Sequence, residues 1–138
     1  MKVLVDTCVW SLAFRRTEGA TANPNVQELT ALISEVGVQM IGPIRQELLS
    51  GIRVSDQYRE LRDQLRAFSD LPLSNQEFER AAEHYNTCRE SGVQGSNTDF
   101  LICAVGELHD LSIFTVDENF YRYKELLQIK LHHPRADL

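Results

Sequence analysis

Asp6, Glu47, Asp99 and Asp117 are the residues of this chain whose types and positions could do chemistry together. Asp6 ends the apolar run Val3-Leu4-Val5, the pattern of a short buried parallel strand. Asp117 follows a second such run, residues 111–115, so both acids stand where an open α/β sheet binds its ligands, beyond the carboxyl ends of the strands. Asp99 falls in the first turn of a helix that opens after Gly95-Ser96-Asn97. Glu47 lies in a helix from Pro43, where Ile44, Glu47, Leu48 and Gly51 follow i, i+3, i+4, i+7 spacing. That spacing predicts a nearly buried slot, and a charge there calls for a partner or a metal.

Each acid also has a plain structural reading. Asp6 and Asp117 could cap the helices that follow them, Asp99 could answer the helix macrodipole, and Glu47 could pair with a nearby arginine. The set is harder to explain that way. Converging carboxylates without matching basic residues repel and raise one another's pKa. Hard divalent cations such as Mg²⁺ or Mn²⁺, which prefer oxygen ligands, remove the conflict. The reaction best suited to such a site is phosphodiester hydrolysis, in which the ion activates water and neutralises charge developing on the phosphoryl group.

The elements that must position these acids can be read from periodicity and caps. Residues 2–6 read as a strand, residues 7–14 as a helix, and residues 15–23 as a polar loop. Asn23-Pro24 is an N-cap followed by proline at the first helical position, and Val26, Leu29, Ile33 and Val36 carry that helix to about Gly37. A strand is expected over residues 38–41, and a helix opens at Gly42-Pro43. Ser55 is expected to cap a helix with Tyr58, Leu61, Leu65 and Phe68 on one face. Ser74-Asn75-Gln76-Glu77 is a capping box starting a helix that runs towards Ser91-Gly92. Leu101, Ala104, Val105 and Leu108 mark the next helix, then a strand over 111–115, a short helix over 118–126 and a last strand over 127–131. Strands alternating with helices predict an α/β fold with a mostly parallel sheet.

Length and composition bound the rest. The 138 residues suit a single domain spanning 1–138, and 43% hydrophobic with 25% charged residues gives it a core to bury. No apolar run reaches the roughly 20 residues a membrane span needs, and the N-terminus lacks a secretory apolar segment, so a cytoplasmic location is expected. The odd, widely spaced Cys8, Cys88 and Cys103 support neither a disulfide framework nor a zinc site and read as small buried hydrophobes. A net charge of −6 argues against a protein that coats nucleic acid non-specifically. Its distribution is uneven: residues 1–66 are neutral, with eight basic and eight acidic residues, and the second half carries the whole excess.

The segments that carry the acids resemble the PIN-domain family, and within it the VapC-type toxins of bacterial toxin–antitoxin pairs. The likeness rests on VDTCVWS, IRQELLSG, GSNTDFLICAVG and IFTVDENF and covers essentially the whole chain. It implies a PIN-like three-layer α/β/α sandwich and a metal site formed by Asp6, Glu47, Asp99 and Asp117. It also implies supporting roles for Thr7, after the first acid, and for Thr115, two residues before the fourth. Family members often carry a further acid where this chain has Asn119, so the resemblance predicts one firmly held metal before two; Asn97 and Glu118 are further candidates. The activity implied is that of an endoribonuclease, using Mg²⁺ or Mn²⁺, that cuts tRNA, rRNA or mRNA and arrests translation and growth. The partners implied are a cognate VapB-type antitoxin, whose tail enters the acidic groove, and a second copy of the chain.

Other residues leave alternatives open. Arg15 and Arg16 could hold RNA phosphates or form a solvated loop. Arg45 could grip phosphate or pair with a carboxylate. Arg53, Arg59, Arg62 and Arg66, interleaved with Asp56, Glu60 and Asp63, read as an exposed helix face. Trp10 could stack a base but suits the core or a dimer face better. His132 and His133 are given no role. A phosphatase with an aspartyl nucleophile would want a second Asp at Cys8, and a receiver module a lysine within 114–120, where there is none. A silent binding module would have no reason to keep all four acids, whereas DNA as substrate stays open because nothing reads the 2′-hydroxyl.

Overall fold

The structure is a computed structural model that describes residues 2–14 and 22–135. Its centre is a four-stranded, wholly parallel sheet in the order β2-β1-β3-β4, built from β1 (Val3–Val5), β2 (Val38–Gln39), β3 (Ser112–Phe114) and β4 (Lys130–His132). The helices are α1 (Thr7–Phe14), α2 (Pro24–Ser34), α3 (Gly42–Leu49), α4 (Ser55–Leu65), α5 (Asn75–Glu90), α6 (Asn97–Leu108) and α7 (Asn119–Leu126). They pack as two linked groups, α1 to α4 and α5 to α7, around the sheet, giving the expected α/β/α sandwich.

Strand order fixes where the site must be. The chain leaves β1 for β2 on one side, then crosses back to β3 on the other, so the connections reverse between β1 and β3. A parallel sheet opens a crevice at that reversal, at the carboxyl ends of the strands. Leu4 pairs with Ile113 and Val5 with Phe114, and the ladder continues one step further as the Asp6 amide donates to the Phe114 carbonyl at 2.9 Å. Asp6 and Thr115 are thus brought side by side at the mouth of the crevice.

Most of the expected elements form with ends shifted by one or two residues. Asn23 caps α2 through its side chain, with Pro24 at the first helical position, and Ser74 and Glu77 make the reciprocal capping box of α5. Ser55 is instead the first residue of α4, behind a Val54 cap that offers no side-chain bond. On α4 only Leu65 is buried, and Phe68 lies beyond the helix end. α6 departs most from its expected one-sided stripe: Phe100 to Gly106 are all buried, so it runs through the core, while Leu108 is only half-buried. A helix apolar on every side is what such a position requires. Gly106 lets α6 approach the sheet, since a Cβ there would stand 3.0 Å from Ile113 side-chain carbons and 3.2 Å from the Leu111 carbonyl. The last strand starts later than its apolar run, because the Leu127 amide is used to close α7 on the Tyr123 carbonyl at 2.8 Å.

Candidate active site

The site is built where the first turns of α1, α6 and α7 meet the ends of β1 and β3. Asp6 is 6% exposed, and its carboxylate accepts the Thr7 amide on Oδ1 at 2.8 Å and the Thr115 hydroxyl on Oδ2 at 2.8 Å. The Cys8 thiol adds a bond to Oδ2 at 3.3 Å. Burial pushes the Asp6 carboxyl above the usual range, Asp99 adds to the push, and the three donors oppose it. Burial and the neighbouring carboxylate work against the charged form here, and the hydrogen bonds work for it.

Asp99 is the third residue of α6, whose N-cap is Ser96: the Ser96 hydroxyl accepts the Asp99 amide at 3.0 Å. On the other side the buried Tyr123 phenol donates to Asp99 Oδ2 at 2.8 Å. Burial raises the Asp99 carboxyl, and the charge of Asp117 raises it further. The Tyr123 phenol is itself pushed far up by burial and by Asp99, which keeps it a hydrogen-bond donor.

Asp117 is half-buried and takes the Asn119 amide on Oδ1 at 2.9 Å, closing the first turn of α7. Its own amide donates to the Thr115 hydroxyl at 3.0 Å. Thr115 left the sheet ladder to do this, since β3 ends at Phe114. One hydroxyl therefore ties Asp6 to Asp117.

Glu47 differs from its expected position. It is exposed on α3, not in a nearly buried slot, because α3 turns its Ile44 and Leu48 face to the core and leaves Glu47 on the rim. Its Oε1 accepts the Thr7 hydroxyl at 2.9 Å. Thr7 thus holds Asp6 through its amide and Glu47 through its side chain. Glu47 also lines an open cleft of about 430 Å³ with Pro43, Gln46, Ser50 and Thr98, next to Asp99.

The structure therefore gathers Asp6, Asp99 and Asp117 within electrostatic reach, Asp6 sensing Asp99 and Asp99 sensing Asp117, and links Glu47 to them through Thr7. Asn119 adds its backbone amide, and its exposed side chain starts α7; Asn97 and Glu118 are exposed at the first turns of α6 and α7. Arg15 and Arg16 lie outside the described residues. Arg45 takes the pairing reading and not the phosphate one: its guanidinium is consumed by Asp70 at 2.8 Å and by the Leu65 and Phe68 carbonyls. Trp10 is in the core, its indole N–H donating to the Val5 carbonyl at 3.2 Å. Cys88 and Cys103 are buried as expected, but Cys8 is not inert filler, because its thiol touches Asp6, Thr115 and the Val116 amide.

Tyr123 is the site residue that sequence reasoning passed over. The signal for it was available: Phe120, Tyr123 and Leu127 share one buried stripe, and a buried phenol needs a partner for its hydroxyl.

A divalent cation suits this donor set. The acids offer hard oxygens, and none of the described ion pairs involves Asp6, Glu47, Asp99 or Asp117. Among the described residues no three His, Cys, Asp or Glu side chains are grouped to enclose an ion alone. Mg²⁺ takes one or two carboxylates and completes its shell with water and phosphate, so three enclosing side chains are not a requirement for it.

Residues 3–126 match the PIN domain family, and the chain belongs to it. No curated protein sequence matches. Among solved structures, the chain is similar to FitAcB from Neisseria gonorrhoeae at 22% identity and a TM-score of 0.75, covering 96% of this chain and 97% of that one. It is similar to VapBC2 from Rickettsia felis, bound to a DNA fragment from their promoter, at 15% identity and a TM-score of 0.76, over 96% and 98% of the two chains. A toxin–antitoxin complex from Klebsiella pneumoniae aligns at 21% identity and a TM-score of 0.63, over 86% and 90%. At these identities the likeness is one of fold.

Proposed function

We propose that this PIN domain is a metal-dependent endoribonuclease and the toxin of a VapBC-type toxin–antitoxin module. The observation that carries the reading is the pair Asp6 and Asp99: one carboxylate buried and one half-buried, the first raised by the charge of the second, both meeting hydrogen-bond donors but no basic side chain among the described ion pairs. Such a pair is completed by a cation. Asp6 and Asp99 would hold the ion, with Asp117 and Glu47 at its border. A bound Mg²⁺ or Mn²⁺ supplies Lewis-acid activation of water and neutralises charge on the scissile phosphate. The protein's own contribution is orientation. Thr7 and Thr115 hold Asp6 from both sides, and the first turns of α1, α6 and α7 aim their positive dipole ends at the crevice, which favours both the carboxylates and an entering phosphate. Glu47, exposed on the rim and bonded to Thr7, would orient an attacking water through hydrogen bonds.

The toxin role and its partner are supported by the company this fold keeps, since similar chains sit in toxin–antitoxin complexes. A cognate antitoxin occluding the acidic crevice and a homodimer are part of the same reading. No helix among the described residues is long and apolar enough to cross a membrane.

The test uses purified full-length protein freed of any antitoxin, incubated with total RNA and with single-stranded DNA, with Mg²⁺ or Mn²⁺, with EDTA, and as Asp6→Asn. RNA cleavage lost in EDTA and in the variant is expected. Cleavage that survives both sinks the metal–carboxylate mechanism, and cleavage of DNA alone sinks the RNA assignment. Growth arrest on expression, relieved by Asp99→Asn, separates a toxin from a housekeeping nuclease.

A further inference from the structure

Tyr123 is wholly buried, with its ring packed 5.0 Å from Phe100 and 5.1 Å from Phe120, and its hydroxyl ends on Asp99 Oδ2 at 2.8 Å. The space for that hydroxyl exists because residue 95 is glycine. A Cβ on Gly95 would stand 2.3 Å from the Tyr123 hydroxyl oxygen, 2.8 Å from Cζ and 3.0 Å from Phe100 Cε2. Gly95 is not among the residues with positive φ, so the absence of a side chain, not backbone freedom, is what this position supplies. Two observations from distant parts of the chain thus converge: a glycine just before α6 leaves room for a phenol from α7, which grips the acid in the first turn of α6. A phenylalanine would fill the core as well as a tyrosine does. The hydroxyl has one visible task, to fix a carboxylate.

The geometry points to Tyr123, seated by Gly95, as a positioning residue that aims the Asp99 carboxylate for divalent-cation binding. This rests on the metal reading above. Partners that orient a ligand from outside the metal shell are worth roughly 10–100-fold in affinity or activity when removed. The phenol also ties α7, which begins beside Asp117, to Asp99 in the first turn of α6.

The test measures Mn²⁺ binding to the full-length protein without RNA, by electron paramagnetic resonance or calorimetry, alongside thermal melts. For Tyr123→Phe the Kd for Mn²⁺ is expected to rise roughly 10–100-fold. Gly95→Ala, which keeps the phenol but displaces it, is expected to weaken Mn²⁺ in the same direction. The double variant Tyr123→Phe/Asp99→Asn is expected to bind no worse than Asp99→Asn alone, because the phenol acts only through that carboxylate. A Tyr123→Phe protein that melts lower yet binds Mn²⁺ like the wild type overturns the inference and leaves the metal reading standing. Additive losses in the double variant overturn it too. Wild-type protein that binds no Mn²⁺ overturns the metal reading itself.

Discussion

Thr115 shows how much of this site depends on one side chain. Its hydroxyl donates to Asp6 Oδ2, accepts the Asp117 amide and lies 3.4 Å from the Cys8 thiol, so it sets the spacing of two acids that are 111 residues apart. Thr115→Val keeps the shape and removes that junction. Its kcat/KM on RNA is expected to fall roughly 10–100-fold, while Thr115→Ser retains most activity; a valine variant with wild-type turnover would remove Thr115 from the machinery. At this scale the sequence was informative about residues whose position along an element gives them away. Asp6, Asp99 and Asp117 each sit at a strand end or helix start, which a linear pattern exposes. Glu47 was placed too deep, since helical spacing sets a residue's angle on its own helix but not what faces it. The Cys8 contact with Thr115 spans 107 residues and was invisible for that reason. Tyr123 meets Asp99 from only 24 residues away, yet from a different helix whose packing the pattern could not supply.

The α5–α6 pair seats Asp99, and its ends are pinned by charged groups. Glu77 accepts the Ser74 amide and hydroxyl at 2.8 Å each and contacts His109 Nε2 at 2.8 Å, joining the start of α5 to the end of α6. Further along, Arg80 reaches Glu107 at 2.6 Å. The His109 contact, followed by the Ser74 bonds, holds the Glu77 carboxyl at about 2, below its ordinary 4.5. A depressed acid contributes stability above its unfolded pKa, and loses it as pH falls through the folded one. Wild type is therefore expected to lose this contribution between about pH 4.5 and about pH 2. Glu77→Gln should melt below wild type near neutrality, with the gap closing across that window; a gap that stays constant to pH 2 would remove Glu77 from the acid transition. The capping box itself was readable in the sequence because it is local. The His109 bond was not, because it closes only when α5 and α6 pack antiparallel.

A whole molecule with a net charge of −6 that gathers acids at one crevice folds against its own electrostatics there. Burial raises the Asp6 and Asp99 carboxyls, so ionising them costs the fold free energy. An ion that binds only the folded state returns that free energy: at 100 times its Kd it stabilises by about 2.7 kcal/mol. For a chain of this size that is a rise in Tm of roughly 5–11 °C. Melts of EDTA-treated protein against added Mg²⁺ or Mn²⁺ should show this shift, and Asp99→Asn should flatten it. An unchanged Tm at saturating Mn²⁺ would count against a folded-state ion site. What the sequence determined by itself was the order of elements, the caps at Asn23 and Ser74, and the acids that fall at element ends, because those properties are set by neighbours within a few residues. The tertiary structure alone decided which ends meet. The β2-β1-β3-β4 order puts Asp6 beside Thr115, leaves Glu47 on the rim and brings the Tyr123 phenol over Gly95 to Asp99, since convergence comes from strand pairing and helix packing across the whole chain.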